Sequence, residues 1–486
     1  MNDEIRQLEP NAIWKNFADL NAVPRPSKKE ERVIRFMLDF GKSLNLETST
    51  DEVGNVIIRK PATEGMENRK TTVLQSHLDM VHQKNADTDF DFDTQGIQMY
   101  VDGDWVKAKG TTLGADNGLG VATIMALLES DDIPHPPLEA LFTIDEETGM
   151  TGAMGLKGGI LKGEILLNLD TEEDDEIDIG CAGGIDVTAN GEYTPEQIPE
   201  GHTTFRMVVK GLQGGHSGID IHRGRGNANK IMNRLLYHCL EEFDVRISEI
   251  NGGSLRNAIP RESTATISID TNNANTFATD FGHWAETIKN EFAVTEPDLI
   301  IGQKVVEPLN LVMAVGASKK LVKSLYASHN GVYAMSASIN DLVETSNNVA
   351  RVLVKDGKIK IGCLTRSSVD SAKMDLAQAL KSTFELAEYQ VSFGGNYPGW
   401  NPNPNSAILE VLKTKYENLF NDEPKIVACH AGLECGILGK NYPEMDMISF
   451  GPTIKGAHSP DERVSISSVQ KFWKFVLAIL EDMPKK

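Results

Sequence analysis

The sequence predicts an α/β protein: a mixed, mainly parallel sheet flanked by helices, with an inserted α+β domain. Three observations indicate this fold class. Helical and extended patterns alternate over residues 1–180, apolar and polar residues alternate after Gly184, and the first pattern returns after Gly395. A chain of 486 residues is also too long for a single hydrophobic core. We therefore expect one α/β domain formed by residues 1–184 and 395–486, with residues 185–394 inserted as a second domain.

Apolar periodicity justifies the individual elements. Apolar residues that recur every three or four positions predict helices at 28–44, 117–129, 227–240, 277–292, 406–420 and 468–482. Short apolar runs predict strands at 56–58, 73–76, 138–144, 165–169 and 447–450. In the inserted domain, the segments 349–354 and 359–364 flank Lys355-Asp356-Gly357-Lys358, which is typical of a β-hairpin.

Composition excludes several classes of protein. The chain has 48 Lys and Arg against 70 Asp and Glu, a net charge of −22, so binding to nucleic acid or to an anionic membrane surface is not expected. Its five cysteines are scattered and odd in number, which fits a reducing compartment better than a disulfide framework. The first residues lack the pattern of a signal peptide, and no apolar run has the length of a membrane span. We expect a cytoplasmic protein.

Acidic and imidazole side chains follow four of the predicted strands. His77 and Asp79 come after the strand at 73–76, Asp145-Glu146-Glu147 after 138–144, Asp170 after 165–169, and His458 a few residues beyond 447–450. In open α/β sheets, ligands bind outside the carboxyl ends of the strands. Carboxylates that converge there repel one another unless cations neutralise them, so the pattern predicts a metal site.

The spacing of these residues has chemical sense. In His77-Leu78-Asp79 the strand alternation puts both polar side chains on one side, so Asp79 can hold the second ring nitrogen of His77, as in zinc sites. Glu146 and Glu147 are adjacent and point differently, so one can bind metal while the other acts as a base. Each residue alone also has a structural interpretation.

Three of these structural interpretations stay open from the residues alone. Asp116 precedes a predicted helix and could cap it. His77 could be a hydrogen-bonded structural histidine. The run from Asp170 to Asp178, with seven acids in nine positions, is expected to be solvated apart from Asp170.

Four motifs in order resemble those of the di-zinc metallopeptidases that include carboxypeptidase G2, carnosinases and aminoacylases. They are Ser76-His77-Leu78-Asp79-Met80-Val81, Gly114-Ala115-Asp116-Asn117-Gly118, Asp145-Glu146-Glu147-Thr148-Gly149 and Gly456-Ala457-His458-Ser459-Pro460. The resemblance runs from end to end, including Cys181-Ala182-Gly183-Gly184-Ile185-Asp186 and His430-Ala431-Gly432-Leu433-Glu434-Cys435-Gly436. It implies a catalytic zinc-peptidase domain and identifies the insertion as a lid domain.

The resemblance also implies a role for each site residue. Asp116 bridges two Zn²⁺ ions, for which Co²⁺ or Mn²⁺ are possible substitutes; His77 and Asp170 bind one ion, and Glu147 and His458 bind the other. Asp79 orients His77, and Glu146 is the general base. The implied reaction is the hydrolysis of dipeptides, especially Xaa-His dipeptides, by a hydroxide held between the two metals.

The lid domain is expected to contribute to substrate binding. By resemblance, His216 in Gly214-Gly215-His216-Ser217-Gly218 stabilises the tetrahedral intermediate, and Asn257 and Arg366 contact the substrate. The planar fork of an arginine suits a terminal carboxylate because it donates two parallel hydrogen bonds. A homodimer is also implied. Whether His216 acts in its own subunit or in the partner's is left open.

Two other functions remain possible at this stage. An N-acyl-amino-acid hydrolase of the same family would use the same metal ligands but recognise no free α-amine. A non-catalytic binding protein could keep the fold without the chemistry. The intact set of ligand and base residues argues against the second alternative: His77, Asp116, Glu146, Glu147, Asp170 and His458.

Overall fold

The computed structural model describes residues 2–486. The helices are α1 Asn11–Leu20, α2 Glu31–Ser43, α3 Ala115–Glu129, α4 Thr151–Gly155, α5 Ala228–Glu242, α6 Ala274–Glu291, α7 Val315–Ala327, α8 Asp370–Leu386, α9 Ala407–Phe420, α10 Glu434–Asn441 and α11 Ile466–Glu481. The strands are β1 Glu47–Thr50, β2 Val56–Lys60, β3 Thr72–His77, β4 Met99–Asp102, β5 Trp105–Ala108, β6 Leu138–Thr143, β7 Ile165–Asn168, β8 Glu176–Cys181, β9 Gly183–Glu192, β10 Pro195–Gln197, β11 His202–Lys210, β12 Arg246–Gly252, β13 Ser263–Asp270, β14 Ile300–Val305, β15 Leu311–Met313, β16 Gly331–Met335, β17 Val343–Lys355, β18 Lys358–Ser367, β19 Gln390–Tyr397, β20 Lys425–Cys429, β21 Asp446–Ser449, β22 Ile454–Lys455 and β23 Arg463–Ser465.

The chain divides into two compact units. Unit 1 contains both ends of the chain: Met1–Gly180, Trp400–Ala428 and Leu433–Lys486. Unit 2 contains Cys181–Gly399 and Cys429–Gly432.

Unit 1 is built on a mixed sheet with the strand order β1-β2-β6-β3-β7-β21-β8-β20. The pairs β3 with β6, β3 with β7, and β21 with β7 are parallel. All six residues of β3 are buried, which is expected of a parallel strand covered on both faces. Helix α3 is apolar around almost its whole circumference and is buried from Asn117 to Leu128. The parallel strands therefore end at one edge of the sheet, where their last residues and the loops after them can meet.

Several elements of unit 1 have no counterpart among those expected from apolar periodicity, including α1, β1, α4, β8, α10, β20 and one small sheet. Strands β4 and β5 form a hairpin that joins β23 and β22 in a small separate sheet. This hairpin lies in the polar stretch after Val81, where short strands carry little apolar signal. By contrast, α11 was expected and begins two residues before its predicted start, because the side chain of Ser465 accepts a hydrogen bond from the backbone N–H of Ser468 and caps the helix.

Unit 2 is built on an antiparallel sheet with the order β14-β11-β13-β12-β17-β18-β9-β19 and with β16 added beside β17. The hairpin of β17 and β18 turns at Asp356 and Gly357, as the sequence predicts, with Lys355 opposite Lys358. The helices of this unit pack their apolar faces on the sheet, so that residues such as Phe277 and Leu376 are buried. Helix α5 begins at Asn227, whose side chain accepts hydrogen bonds from the N–H groups of Asn229 and Lys230.

Within residues 2–486, none of the helices combines the length and the apolar character that crossing a membrane requires.

Candidate metal centre

The carboxylate of Asp116 lies between two imidazoles in unit 1. Its Oδ1 is 3.3 Å from Nε2 of His77, and its Oδ2 is 3.1 Å from Nε2 of His458. Oδ1 of Asp170 lies 3.6 Å from the same nitrogen of His77, and Oε2 of Glu147 lies 2.9 Å from that of His458. Two clusters of potential ligands thus share Asp116: one with His77 and Asp170, the other with Glu147 and His458.

The fold explains why residues so distant in sequence meet. His77 is the last residue of β3, Asp170 follows β7 by two residues, and Glu147 follows β6 by four. Because β3 is parallel to both neighbours, these carboxyl ends lie at the same sheet edge. Asp116 stands at the beginning of the buried helix α3, and His458 lies in the loop between β22 and β23.

Asp79 holds several parts of the centre together. Its Oδ1 lies 3.4 Å from Nδ1 of His77 and accepts a hydrogen bond of 3.0 Å from the backbone N–H of Glu146. Its Oδ2 accepts from the backbone N–H of Glu147 at 3.3 Å and from the hydroxyl of Ser27 at 2.8 Å. Asp79 therefore fixes the ring of His77 and the backbone of both glutamates.

The same contacts set the pKa values of these groups. Burial alone would raise the pKa of Asp116, but its hydrogen bonds with His458 and His77 outweigh that effect and lower it. Hydrogen bonds to Asp116 and Glu147 raise the pKa of His458 to about 11. Burial lowers the pKa of His77, yet Asp170 and Asp116 more than offset this effect and raise it. Burial and the neighbouring carboxylates raise the pKa of Glu147 and of Asp170, so the two imidazoles offset only part of the negative charge.

Glu146 differs from its neighbours. Burial raises the pKa of its carboxyl group well above the ordinary value, and the charges of Asp170 and Glu147 act in the same direction, against an opposite effect of His77. A carboxyl group with a raised pKa beside a set of metal-type ligands has the properties of a general base or acid.

The donor set fits two divalent metal ions. Oε1 of Glu147 and Oδ1 of Asp170 are buried and have no hydrogen-bond partner, although an unpaired buried carboxylate oxygen is costly. Imidazole nitrogens and carboxylate oxygens are the ligand types that zinc takes in catalytic sites, and the remaining ring nitrogen of His77 is held by an acid, as is usual there. The residues present can therefore hold two ions with Asp116 between them.

Unit 2 brings together two more of the predicted site residues. Nη2 of Arg366 lies 3.4 Å from Nε2 of His216, and Nη1 donates a hydrogen bond of 2.9 Å to the hydroxyl of Tyr397. Arg366 is only 4% exposed, and its Nε is buried without a hydrogen-bond partner. A buried guanidinium with spare donors is suited to an anionic ligand.

The orientation of His216 strengthens this reading. Its Nδ1 accepts hydrogen bonds from the backbone N–H groups of Gly218 and Ile219, so we assign the proton of the neutral ring to Nε2. Two donors, Nε2 of His216 and Nη2 of Arg366, then lie 3.4 Å apart, an arrangement that suits a shared anionic acceptor. The third predicted residue, Asn257, is exposed beside this pair, and its backbone oxygen accepts from the N–H of Ser217.

Two expectations need correction or addition. Asp116 does not cap α3, because its carboxylate contacts the imidazoles and the helix is preceded by Gly114 without a side-chain cap. The acidic run after Asp170 is not wholly solvated: Asp178 is 6% exposed and accepts a hydrogen bond from Thr171. Sequence reasoning also missed Ser27 and Tyr397, since neither belongs to a motif that the chemistry requires.

Comparison with known proteins decides the family. The model of peptidase family M20/M25/M40 matches residues 73–482. This chain belongs to that peptidase family. The cytosol non-specific dipeptidase of Escherichia coli strain K12 is 46% identical over 483 residues, which are 99% of this chain and 100% of the relative.

Solved structures agree with this assignment. The crystal structure of aminoacylhistidine dipeptidase from Vibrio alginolyticus has a TM-score of 0.92 and 46% identity, covering 100% of this M20 peptidase and 99% of that chain. Aminopeptidase PepT from Bacillus cereus has a TM-score of 0.57 and 15% identity over 98% of each chain, and so shares the fold. The predicted fold class, a mixed sheet flanked by helices in a zinc-peptidase-like fold, is confirmed.

Proposed function

We propose that this M20 peptidase is a cytoplasmic, homodimeric dipeptidase that hydrolyses Xaa-His and other dipeptides with two Zn²⁺ ions. The observation that carries the proposal is the pair of ligand clusters that share Asp116, with the carboxyl group of Glu146 close to both. The names of two relatives at 46% identity, a cytosol non-specific dipeptidase and an aminoacylhistidine dipeptidase, support the substrate class and the location.

The roles of the metal ligands follow from their positions. His77 and Asp170 would hold one ion, Glu147 and His458 would hold the other, and Asp116 would be a ligand that both ions share. Bound ions would lower the pKa of the attacking water from 15.7 to about 7 and polarise the scissile carbonyl group. Asp79 keeps His77 oriented through Nδ1, which fixes the ring nitrogen that faces Asp116.

Glu146 is the general base in this proposal. It takes a proton from the attacking water and later delivers a proton to the leaving amine, which is one residue in two successive roles. Burial raises the pKa of its carboxyl group, which favours retention of the proton between the two steps. The hydrogen bond from its backbone N–H to Asp79 fixes the main chain from which the side chain of Glu146 extends.

Unit 2 supplies substrate recognition in the proposal. Arg366 binds the C-terminal carboxylate of the dipeptide with its spare donors, and Nε2–H of His216 donates to the carbonyl oxygen as it becomes negative. Asn257 contacts the substrate from its exposed position beside His216. Binding a terminal carboxylate would let the enzyme select short peptides over long ones.

Turnover of free and N-acetylated substrates tests the proposed substrate class. We expect the zinc-loaded protein to hydrolyse β-alanyl-histidine and other Xaa-His dipeptides and to be much slower on the matching N-acetyl-Xaa-His compounds, measured as kcat/KM. Preference for the acetylated forms would assign an N-acyl-amino-acid hydrolase instead. Absence of turnover with both metal sites filled would leave a binding protein.

A mixing experiment tests which subunit supplies His216. His216 and Arg366 lie together in unit 2 of one chain, so we expect one chain to provide both to a substrate, while the subunit whose Glu146 they serve is the open question. If His216 serves the metal centre of its own chain, mixtures of His216→Ala and Glu146→Ala chains, dissociated and reassembled together, stay as inactive as either variant alone. A wild-type and Glu146→Ala mixture is the control for recovery after reassembly. Return of activity in the double-variant mixture would instead require a site shared between subunits.

A further inference from the structure

One buried carboxylate holds the backbone that carries Asp116. Oε2 of Glu462 accepts hydrogen bonds from the N–H groups of Leu113 at 2.7 Å and Gly114 at 3.0 Å. Its Oε1 accepts from the N–H groups of Ala115 at 2.8 Å and Asp116 at 3.2 Å. Four successive amides thus converge on one side chain that is 2% exposed. Burial raises the pKa of Glu462 to about 7, and the hydrogen bonds from these N–H groups oppose that effect, since the ionised carboxylate has acceptors only.

A buried cation holds the same segment from its other side. Nη2 of Arg25 donates to the backbone oxygen of Gly114 at 2.6 Å, and Nη1 donates to the oxygens of Leu78 and Asp79 at 3.0 and 3.1 Å. The peptide segment at Gly114 therefore lies between a guanidinium and a carboxylate. Arg25 ties it to the end of β3, where Asp79 supports His77.

Gly114 is the point of closest approach. Its φ of 69° lies in the left-handed region, and a Cβ atom there would be 2.5 Å from Nη2 of Arg25 and 2.9 Å from Sδ of Met80. Only glycine fits this position without displacing the guanidinium. The segment from Leu113 to Asp116 is therefore fixed by hydrogen bonds on both sides and by packing.

Glu462 also connects two ligands of the same ion. It lies four residues after His458 in the loop between β22 and β23, and its own N–H donates to the backbone oxygen of Ser459. His458 and Asp116 are 342 positions apart in sequence, yet their side chains are 3.1 Å apart. The four hydrogen bonds to Glu462 join the loop of His458 to the segment of Asp116.

We propose that Glu462 is a positioning residue for the metal centre, which holds the bridging Asp116 and the loop of His458 at the spacing that two metal ions require, with Arg25 as its counterpart across Gly114. This inference rests on the proposed di-zinc function. It assigns no contact between Glu462 and metal or substrate. Residues that hold ligands in this way typically change metal affinity by 10–100-fold when replaced.

Zinc titration of a conservative variant tests the proposal. Glu462→Gln keeps the shape but turns one acceptor into a donor, which then faces two N–H groups. We expect its Kd for Zn²⁺, measured by competition with a chromophoric chelator, to rise about 10–100-fold. In metal-free Glu462→Gln, the amides of Leu113–Asp116 should exchange hydrogen faster than in the metal-free wild type. Glu462→Asp keeps the charge, so its Kd for Zn²⁺ should lie between those of the wild type and Glu462→Gln. Glu444 is exposed, and Glu444→Gln is the control for loss of one negative charge.

The outcomes separate this proposal from a purely structural role. If both Glu462 variants have a lower unfolding temperature but the wild-type Kd for Zn²⁺, the positioning role is wrong. If Glu462→Gln does not fold, the Kd of Glu462→Asp decides in the same way. If wild-type protein binds no zinc, the proposed function fails first, and that result is visible in the wild-type titration alone.

Discussion

Replacement of Glu146 by glutamine is expected to lower kcat by about 10²–10⁴-fold while both metal sites still fill. Glutamine has nearly the same shape but cannot accept the proton of the attacking water. The main chain at this position stays fixed, because the backbone N–H of residue 146 donates to Asp79. The measurement is kcat with an Xaa-His dipeptide at saturating concentration, together with metal content per chain by mass spectrometry.

The neighbouring residue provides a matched comparison. Glu147 is adjacent in sequence, but its Oε2 contacts His458 and its Oε1 is buried without a partner, as expected of a metal ligand. Glu147→Gln should therefore lose metal as well as activity, whereas Glu146→Gln should lose activity alone. A Glu146→Gln enzyme with near wild-type kcat and full metal content would show that another group is the base.

Removal of the metal ions is expected to bring turnover down to the background rate, a loss above about 10³-fold, and two equivalents of Zn²⁺ per chain should restore it. Without cations, the carboxylates of Asp116, Glu147 and Asp170 have only one another and the imidazoles as close neighbours, and nothing activates the water. The measurement is a titration of chelator-treated protein with Zn²⁺, in which activity and bound metal per chain are recorded at each step.

The stoichiometry carries most of the information in that titration. Because Asp116 belongs to both ligand clusters, Asp116→Ala should reduce binding at both positions, while Asp170→Ala should weaken mainly one. Full turnover by thoroughly stripped protein, or recovery at a single equivalent, would contradict the two-metal assignment.

Much of this centre could be predicted because its main residues follow buried strands. Apolar runs locate strands well, and the carboxyl ends of parallel strands must share an edge, so His77, Glu147 and Asp170 were expected to converge. The predicted strand at 73–76 is observed as Thr72–His77, so His77 ends the strand instead of following it. Helix and strand bounds differ by a few residues because caps and frayed ends leave weak traces in the sequence.

The supporting residues could not be predicted, for a physical reason. Glu462 accepts hydrogen bonds from backbone amides 346–349 positions away, and Arg25 donates to backbone oxygens. Because the partners are main-chain atoms, neither contact depends on the identity of the partner residue's side chain. No pattern in the sequence records such pairs. The burial of Asp178 was missed likewise, since it depends on the pairing of Ser449 in β21 with Asp178 in β8.

The strand order of unit 1 has a consequence for synthesis. Strand β21 lies between β7 and β8, although it is made about 280 residues after β7. While the ribosome is producing unit 2, the facing edges of β7 and β8 lack the strand that will separate them, and His458 does not yet exist. A nascent chain therefore cannot complete the second ligand cluster. In the cell, a hydrolase ordered in this way gains its activity only after the segment from β21 to His458 has been translated.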